Sequence, residues 1–215
     1  MDHYLDIANW SRRELFEFFI GYTNPYFNVC TSLDVTALLA FVRDRPGVKI
    51  SLAIHYFALR IANEIEPFRY RLKDEKVIVY DVINGGTTVL LPNESFTYAY
   101  FDYQRDFERF LANIGKAVDD VRTGSGALQP TMRDDVIYHT TLPWISFTSF
   151  AHARTKGRGD SIPRIVFGKF TEQNERMMMP ISVEVHHALM DGLHVGRYLN
   201  RLEEALAAPE AFVNE

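Results

Sequence analysis

The chain has 215 residues, 47% of them apolar and 24% charged, which is enough for one ordinary globular domain with a sizeable core. A formal net charge of -5 and a pI near 5.8 supply no basic field for a phosphate backbone or an anionic lipid surface, so nucleic-acid and membrane binding are disfavoured and small molecules are the expected partners. The single cysteine, Cys30, can form neither an internal disulfide nor a cysteine-type metal site.

The start of the chain, Met1-Asp2-His3-Tyr4-Leu5-Asp6, is acidic where a secretory leader is basic and then apolar, so a cytoplasmic location is expected. Ser11-Arg12-Arg13-Glu14 has the pattern of a capping box, predicting a helix that carries Leu15, Phe16, Phe18 and Phe19 and ends near Gly21. A strand over Phe27 to Leu33 follows, with Asp34 as the cap of a helix through Val42. The longest clearly apolar run, Ala37 to Val42, is far short of the roughly 20 residues that cross a bilayer. Ile54, Phe57, Ala58, Ile61, Ala62 and Ile65 recur at helical spacing, and Phe68 to Leu72 and Lys76 to Tyr80 read as a hairpin around Lys73-Asp74-Glu75. Strands are predicted over Thr87 to Leu91 and Ser95 to Phe101, then an amphipathic helix from Phe107 to Val121 closed by a flexible run, Thr123-Gly124-Ser125-Gly126. Four further strands are expected near Val136 to Thr141, Trp144 to Phe150, Arg164 to Phe170 and Arg176 to His187, before a last helix marked by Val195, Tyr198, Leu199, Leu202 and Leu206. The pattern has few βαβ alternations and several hairpin-like pairs, which predicts one α/β domain of the α+β type over residues 1–215, a mixed sheet covered by helices.

The chemistry concentrates in Ile181-Ser182-Val183-Glu184-Val185-His186-His187. Apolar residues alternate there, so a strand places His187 on the face of Ile181, Val183 and Val185, and His186 on the other. An imidazole in apolar surroundings at a strand end stays neutral near pH 7 and can accept a proton from an alcohol or an amine. The dipeptide alone fits a hydrogen-bonded core histidine as well. Asp191 alone reads as a cap or turn carboxylate. A metal shared by His186, His187, Asp191 and His194 is disfavoured, because adjacent strand histidines point to opposite faces.

Val185-His186-His187-Ala188-Leu189-Met190-Asp191-Gly192-Leu193-His194 resembles the active-site signature of chloramphenicol acetyltransferases. Asn9 to Phe18, Phe68 to Asp74 and Leu142 to Phe150 resemble other blocks of that family, in the same order. The bare HHxxxDG pattern is shared with peptide-synthetase condensation domains and dihydrolipoyl acyltransferases; the short length and the flanking blocks select this branch. The resemblance implies a homotrimer with acetyl-CoA and acceptor entering a channel between subunits from opposite ends. It implies His187 as general base, Thr140 as the hydroxyl that steadies the oxyanion where the family has serine, and an ion pair between Asp191 and Arg12 that organises the site. Lys49 and Lys169 would meet the ribose phosphate of CoA, Phe170 its adenine, and Phe18 and Phe19 the acceptor. Read from composition alone, Arg12 is a solvated charge, the lysines are surface residues, and the two phenylalanines serve the core equally well.

This sequence departs from the family at Ser51, where an aromatic helps hold adenine, at Val166 in place of threonine, at Leu193 in place of an aromatic, and in the acceptor loop Thr23-Asn24-Pro25-Tyr26. The expected function is O-acetyl transfer from acetyl-CoA to chloramphenicol or a similar hydroxylated molecule, as antibiotic resistance enzymes do, without metal. The alternatives are transfer to another alcohol or amine, and a trimer that binds CoA without turnover.

Overall fold

A computed structural model describes residues 1–73, 76–124, 133–153 and 160–214. In chain order the strands are β1 (His3–Tyr4), β2 (Tyr26–Asp34), β3 (Tyr70–Lys73), β4 (Lys76–Val79), β5 (Asn84–Leu90), β6 (Phe96–Phe101), β7 (Val136–Leu142), β8 (Arg164–Gly168), β9 (Thr171–Gln173) and β10 (Arg176–His186). The helices are α1 (Arg13–Ile20), α2 (Thr36–Arg43), α3 (Ile50–Glu64), α4 (Phe107–Thr123), α5 (Gly192–Ala207) and α6 (Pro209–Val213). The main sheet runs β2-β10-β8-β7-β5-β6, with β9 added beside β10, and a small sheet runs β1-β4-β3. Only β5 with β7 and β7 with β8 pair in parallel, so the sheet is mixed, as the α+β reading expects.

Alternation along the strands divides the main sheet into two unlike faces. Ile137, Ile165, Phe167, Ile181, Val183, Val185 and Phe101 point into one core with Phe57 and Ile61 of α3, Phe110 and Ile114 of α4, and Tyr198 and Leu202 of α5. Burying each such side chain contributes about 1.5 to 3 kcal/mol, so this face sets the stability of the sheet. The opposite face carries Tyr98, Tyr100, Tyr138, Thr140, Ser182, Glu184 and His186, too polar for a helix to cover. A second, smaller core of Phe16, Tyr70, Val77, Val79, Ala188 and Leu189 fixes α1 between the small sheet and the turn that follows β10. Arg71 of β3 is fully buried and donates to four carbonyls, those of Phe68 (2.9 Å), Tyr70 (2.6 Å), Asp134 (2.7 Å) and Val136 (2.6 Å), which joins the small sheet to the start of β7. Burial lowers its pKa to about 10, still well above neutrality.

Several expectations change in detail. No capping box forms at Ser11: α1 starts at Arg13, and Arg12 takes the cap position with no side-chain capping bond, its guanidinium being engaged elsewhere. The α2 cap is Val35, although the Asp34 carboxylate still accepts from the Thr36 amide at 2.9 Å. Phe68 belongs to a 3-10 turn started by Pro67 rather than to β3. The expected strand from Trp144 to Phe150 is irregular chain. Pro143 removes a ladder donor after β7, and the chain turns so that the Ile145 carbonyl accepts from the Lys169 amide at 2.8 Å. Gly168 permits that approach, because a Cβ there would lie 2.5 Å from Pro180 and 3.0 Å from the Ile145 oxygen. Of the two loop readings, Asp74-Glu75 and Ser125-Gly126 lie outside the described residues; α4 ends at Thr123 with Gly124 as its cap.

Candidate active site

β10 ends at His186, and His187 opens the turn to α5. Its amide donates to the Pro25 carbonyl at 2.7 Å, so the last residue of the loop before β2 holds the histidine backbone in place. Its ring stacks on Phe19 with centroids 3.8 Å apart and planes 7° apart, and Phe27 lies against it at 4.5 Å. Phe18 meets Phe19 edge-on at 5.0 Å but is 59% exposed. Among the described residues the His187 Nδ1 is buried without a hydrogen-bond partner. His186, on the other face of the strand, accepts from the Ala188 amide at 3.3 Å and serves the turn.

Arg12 closes this turn from α1. Its guanidinium, with a side chain 12% exposed, donates to the Asp191 carboxylate and reaches the His187 carbonyl at 3.4 Å. Partial burial pushes the Asp191 carboxyl up, but Arg12, helped by the Leu193 amide, outweighs it and holds it below the usual carboxylate range. Asp191 also caps α5 through the Leu193 amide at 3.0 Å. The Asp191 amide in turn donates to His194 Nδ1 at 3.1 Å. A nitrogen that accepts this bond carries no proton, so the 3.0 Å approach of His194 Nδ1 to the Asp191 carboxylate is a close contact within the cap rather than an ion pair. Burial, which lowers the His194 pKa, favours the same neutral ring.

The remaining candidates lie elsewhere. Thr140 is half-buried on β7 and opens into a cavity of about 670 Å³ on the polar face of the sheet, lined also by Tyr98, Tyr138, Trp144, His152 and Arg164. Lys169 and Phe170 line a second cavity of about 320 Å³ with Ile50, Ile54 and Phe167. Lys49, at the N-cap of α3, lines a third of about 250 Å³ with His55 and Arg122. Ser51, Thr141 and Pro143 border both of these, and Trp144 and Thr141 border the first and third, so the three form one tract around the end of β7. Beneath the tract His55 donates from Nδ1 to the Ser51 carbonyl at 2.5 Å and accepts at Nε2 from Thr87 at 3.1 Å, while His139 is buried with neither ring nitrogen bonded among the described residues. Burial lowers His55 to about 4 and His139 well below its ordinary value.

The register separates the two groups. Thr140 is level with Val166 on β8, and Val166 with Ser182 on β10. Two strand spacings across and five residues along therefore part Thr140 from His187 by roughly 19 Å within one chain. The structure thus brings His187, Asp191, Arg12 and Phe19 together, with Phe18 at their solvent edge, and places Thr140, Lys49, Lys169 and Phe170 apart from them. Pro25 was marked in the sequence only as part of the acceptor loop and Phe27 only as the start of a strand; neither was expected to hold His187. Among the described residues no group of three or more His, Cys, Asp or Glu is placed to hold a metal ion, and no helix is long and apolar enough to cross a membrane.

Comparison with known proteins assigns the fold. A solved chloramphenicol acetyltransferase superposes with a TM-score of 0.86 at 28% identity, over 96% of this chain and 100% of that one. The dihydrolipoamide acetyltransferase of Azotobacter vinelandii follows with a TM-score of 0.69 at 20% identity, over 93% and 88%, a likeness of fold alone. The class is therefore that of the acyltransferases built on this mixed sheet. The chloramphenicol acetyltransferase family matches residues 2–203, and the chain belongs to that family. The chloramphenicol acetyltransferase of Proteus mirabilis is 28% identical over 201 residues, 93% of this chain and 92% of the relative. That of Campylobacter coli is 31% identical over 206 residues, 94% and 97%.

Proposed function

We propose that the protein transfers an acetyl group from acetyl-CoA to the hydroxyl of a small molecule such as chloramphenicol, using a site shared between two copies of the chain. The observation that carries this reading is the clamp on His187: Arg12, Asp191 and Pro25 fix the turn, and Phe19 and Phe27 fix the ring. An imidazole restrained in this way is a positioned proton acceptor.

His187 takes the acceptor's hydroxyl proton as the oxygen attacks the thioester carbonyl. The tetrahedral oxyanion receives a hydrogen bond from Thr140, and its collapse breaks the carbon–sulfur bond. His187 returns the proton to the departing thiolate of CoA, leaving the acetyl ester. No acyl-enzyme forms. Lys49 and Lys169 would meet the phosphates of CoA and Phe170 its adenine, at the mouth of cavities bordered by Ser51.

Reacting groups must approach within about 3.5 Å, which a separation of roughly 19 Å inside one chain forbids. A second copy has to bring its Thr140 to His187. Exposed apolar side chains flank each half: Leu15, Phe18, Tyr22 and Leu193 near His187, and Leu90, Phe96, Trp144 and Ile145 near Thr140. Two different patches that meet make a head-to-tail contact, which closes into a ring, and a homotrimer is the ring proposed here. A single catalytic domain over residues 1–215 and a cytoplasmic setting, where acyl-CoA is at hand, go with this reading.

The test is release of CoA thiol with acetyl-CoA and chloramphenicol. His187→Ala is expected to lower the rate by about 10² to 10⁴. Full activity in that variant would refute the assignment of the base, and turnover of another alcohol or amine but not chloramphenicol would redirect the acceptor.

A further inference from the structure

The polar face of the sheet ends in a buried pair that acetyl transfer as described does not use. The cavity at Thr140 is walled by His152, whose side chain is 15% exposed and whose Nδ1 faces the buried carboxylate of Glu184 at 3.5 Å. At that distance the contact is electrostatic rather than a formed hydrogen bond, and the Nδ1 has no hydrogen-bond partner among the described residues. Phe150 holds the ring edge-on at 4.9 Å. Nearby, Arg164 and Asp160 pair at 2.8 Å, and the Tyr26 hydroxyl fixes the Asp160 carbonyl at 2.5 Å.

Position along β7 assigns this cavity a role. Thr141 borders the cavities of Lys49 and Lys169, the proposed CoA side, and touches that of His152 as well. Thr140 and Tyr138 turn the other way, into the cavity of His152. A donor that ends its thioester at Thr140 leaves this cavity to the acceptor. A pocket that recognised only an apolar acceptor would not seat an imidazole on a buried carboxylate, because such groups cost free energy when a ligand dries them without matching their hydrogen bonds.

We infer that His152, with Glu184 as its positioning residue, is a specificity determinant on the acceptor side, and that it selects hydroxylated acceptors carrying a strong hydrogen-bond donor such as a free amine beside the reacting hydroxyl. The inference rests on the acyl-transfer reading above. It names the group the acceptor must present, which the resemblance to drug-acetylating relatives does not.

A matched pair of acceptors tests it: chloramphenicol, and the amine left when its dichloroacetyl group is removed, which keeps the same diol and aryl ring. Steady-state thiol release gives KM and kcat, with base lability of the product confirming an ester. The wild-type enzyme is expected to show a KM for the amine about tenfold below that for chloramphenicol. His152→Leu should raise the amine KM about tenfold with little change in kcat or in the chloramphenicol KM, and His152→Gln should restore most of the preference. Glu184→Gln should weaken the preference less than His152→Leu does. A wild-type enzyme that prefers chloramphenicol, accepts neither compound, or keeps its acceptor ratio in His152→Leu overturns the inference. Loss of the acyl-transfer reading looks different: thiol release would then be indifferent to His187→Ala on every acceptor.

Discussion

Around His187 the chain supplies its own restraint: a carbonyl from the loop before β2, a guanidinium from α1, a carboxylate at the cap of α5, and two aromatic rings. Around Thr140 it supplies space instead, a cavity of about 670 Å³ walled by tyrosines and by the His152–Glu184 pair. The first region fixes one imidazole in place, while the second offers space, and the imidazole it holds, His152, faces the Glu184 carboxylate. The mechanism proposed above needs both, so it requires them to meet across two copies of the chain. Under the proposed reading it also separates duties, since changes at Thr140 or His152 would alter chemistry or acceptor choice without loosening the clamp on His187.

The comparison can be broken first at Thr140. Thr140→Val keeps the shape but removes the hydroxyl, and loss of one oxyanion donor should lower kcat by about 10² to 10³ with little change in KM. Thr140→Ser retains the donor and should keep activity near that of the parent. An equal loss in both variants, seen by steady-state kinetics, would mean that the hydroxyl is not the donor.

A smaller effect comes from the two histidines beneath the cavities of Lys49 and Lys169. His55, lowered to about 4, and His139, lowered well below its ordinary value, are neutral when folded, whereas the unfolded chain protonates both near 6.5. Their folded pKa values are depressed, so the stability they allow is present above pH 6.5 and is lost as pH falls toward 4. Each group contributes a slope of about 1.4 kcal/mol per pH unit in that window. Denaturant midpoints at pH 7.5 and 5.5 should therefore show a loss of about 2 to 3 kcal/mol, and His139→Phe should remove part of it. The Asp191 carboxyl, also held low, acts only in more acid solution and does not contribute to this window. A flat stability over the window would show that these two rings are not held neutral.

Much of the framework was legible in the sequence because its signals are periodic. α3, α4, α5 and β10 follow apolar spacing that burial then confirms. The failures have local causes. Trp144 to Phe150 has the aromatic and β-branched composition of a strand, yet Pro143 and the approach to Gly168 divert it into loop. Ser11 and Glu14 match a capping box, but the helix starts late because Arg12 is drawn to Asp191, a contact between residues far apart in the chain. β1, β9 and α6 are too short to carry a period. In the site, Arg12, Asp191, Phe19 and His187 came from the resemblance to a family, and the fold brings those four together. That Thr140, Lys49, Lys169 and Phe170 lie apart from them depends on strand order and register, which spacing does not encode. His152 and Glu184 meet for the same reason: one follows a loop, the other lies mid-strand, and only the sheet makes them neighbours.

The most direct test mixes two crippled chains. His187→Ala and Thr140→Val are co-expressed with separable tags, mixed oligomers are isolated, and thiol release is measured with acetyl-CoA and an accepted alcohol. In a trimeric ring where each site takes His187 from one copy and Thr140 from the next, every mixed trimer holds one intact site of its three, so activity should recover to about a third of the parent. Activity no higher than that of the separate variants would contradict a site shared between subunits.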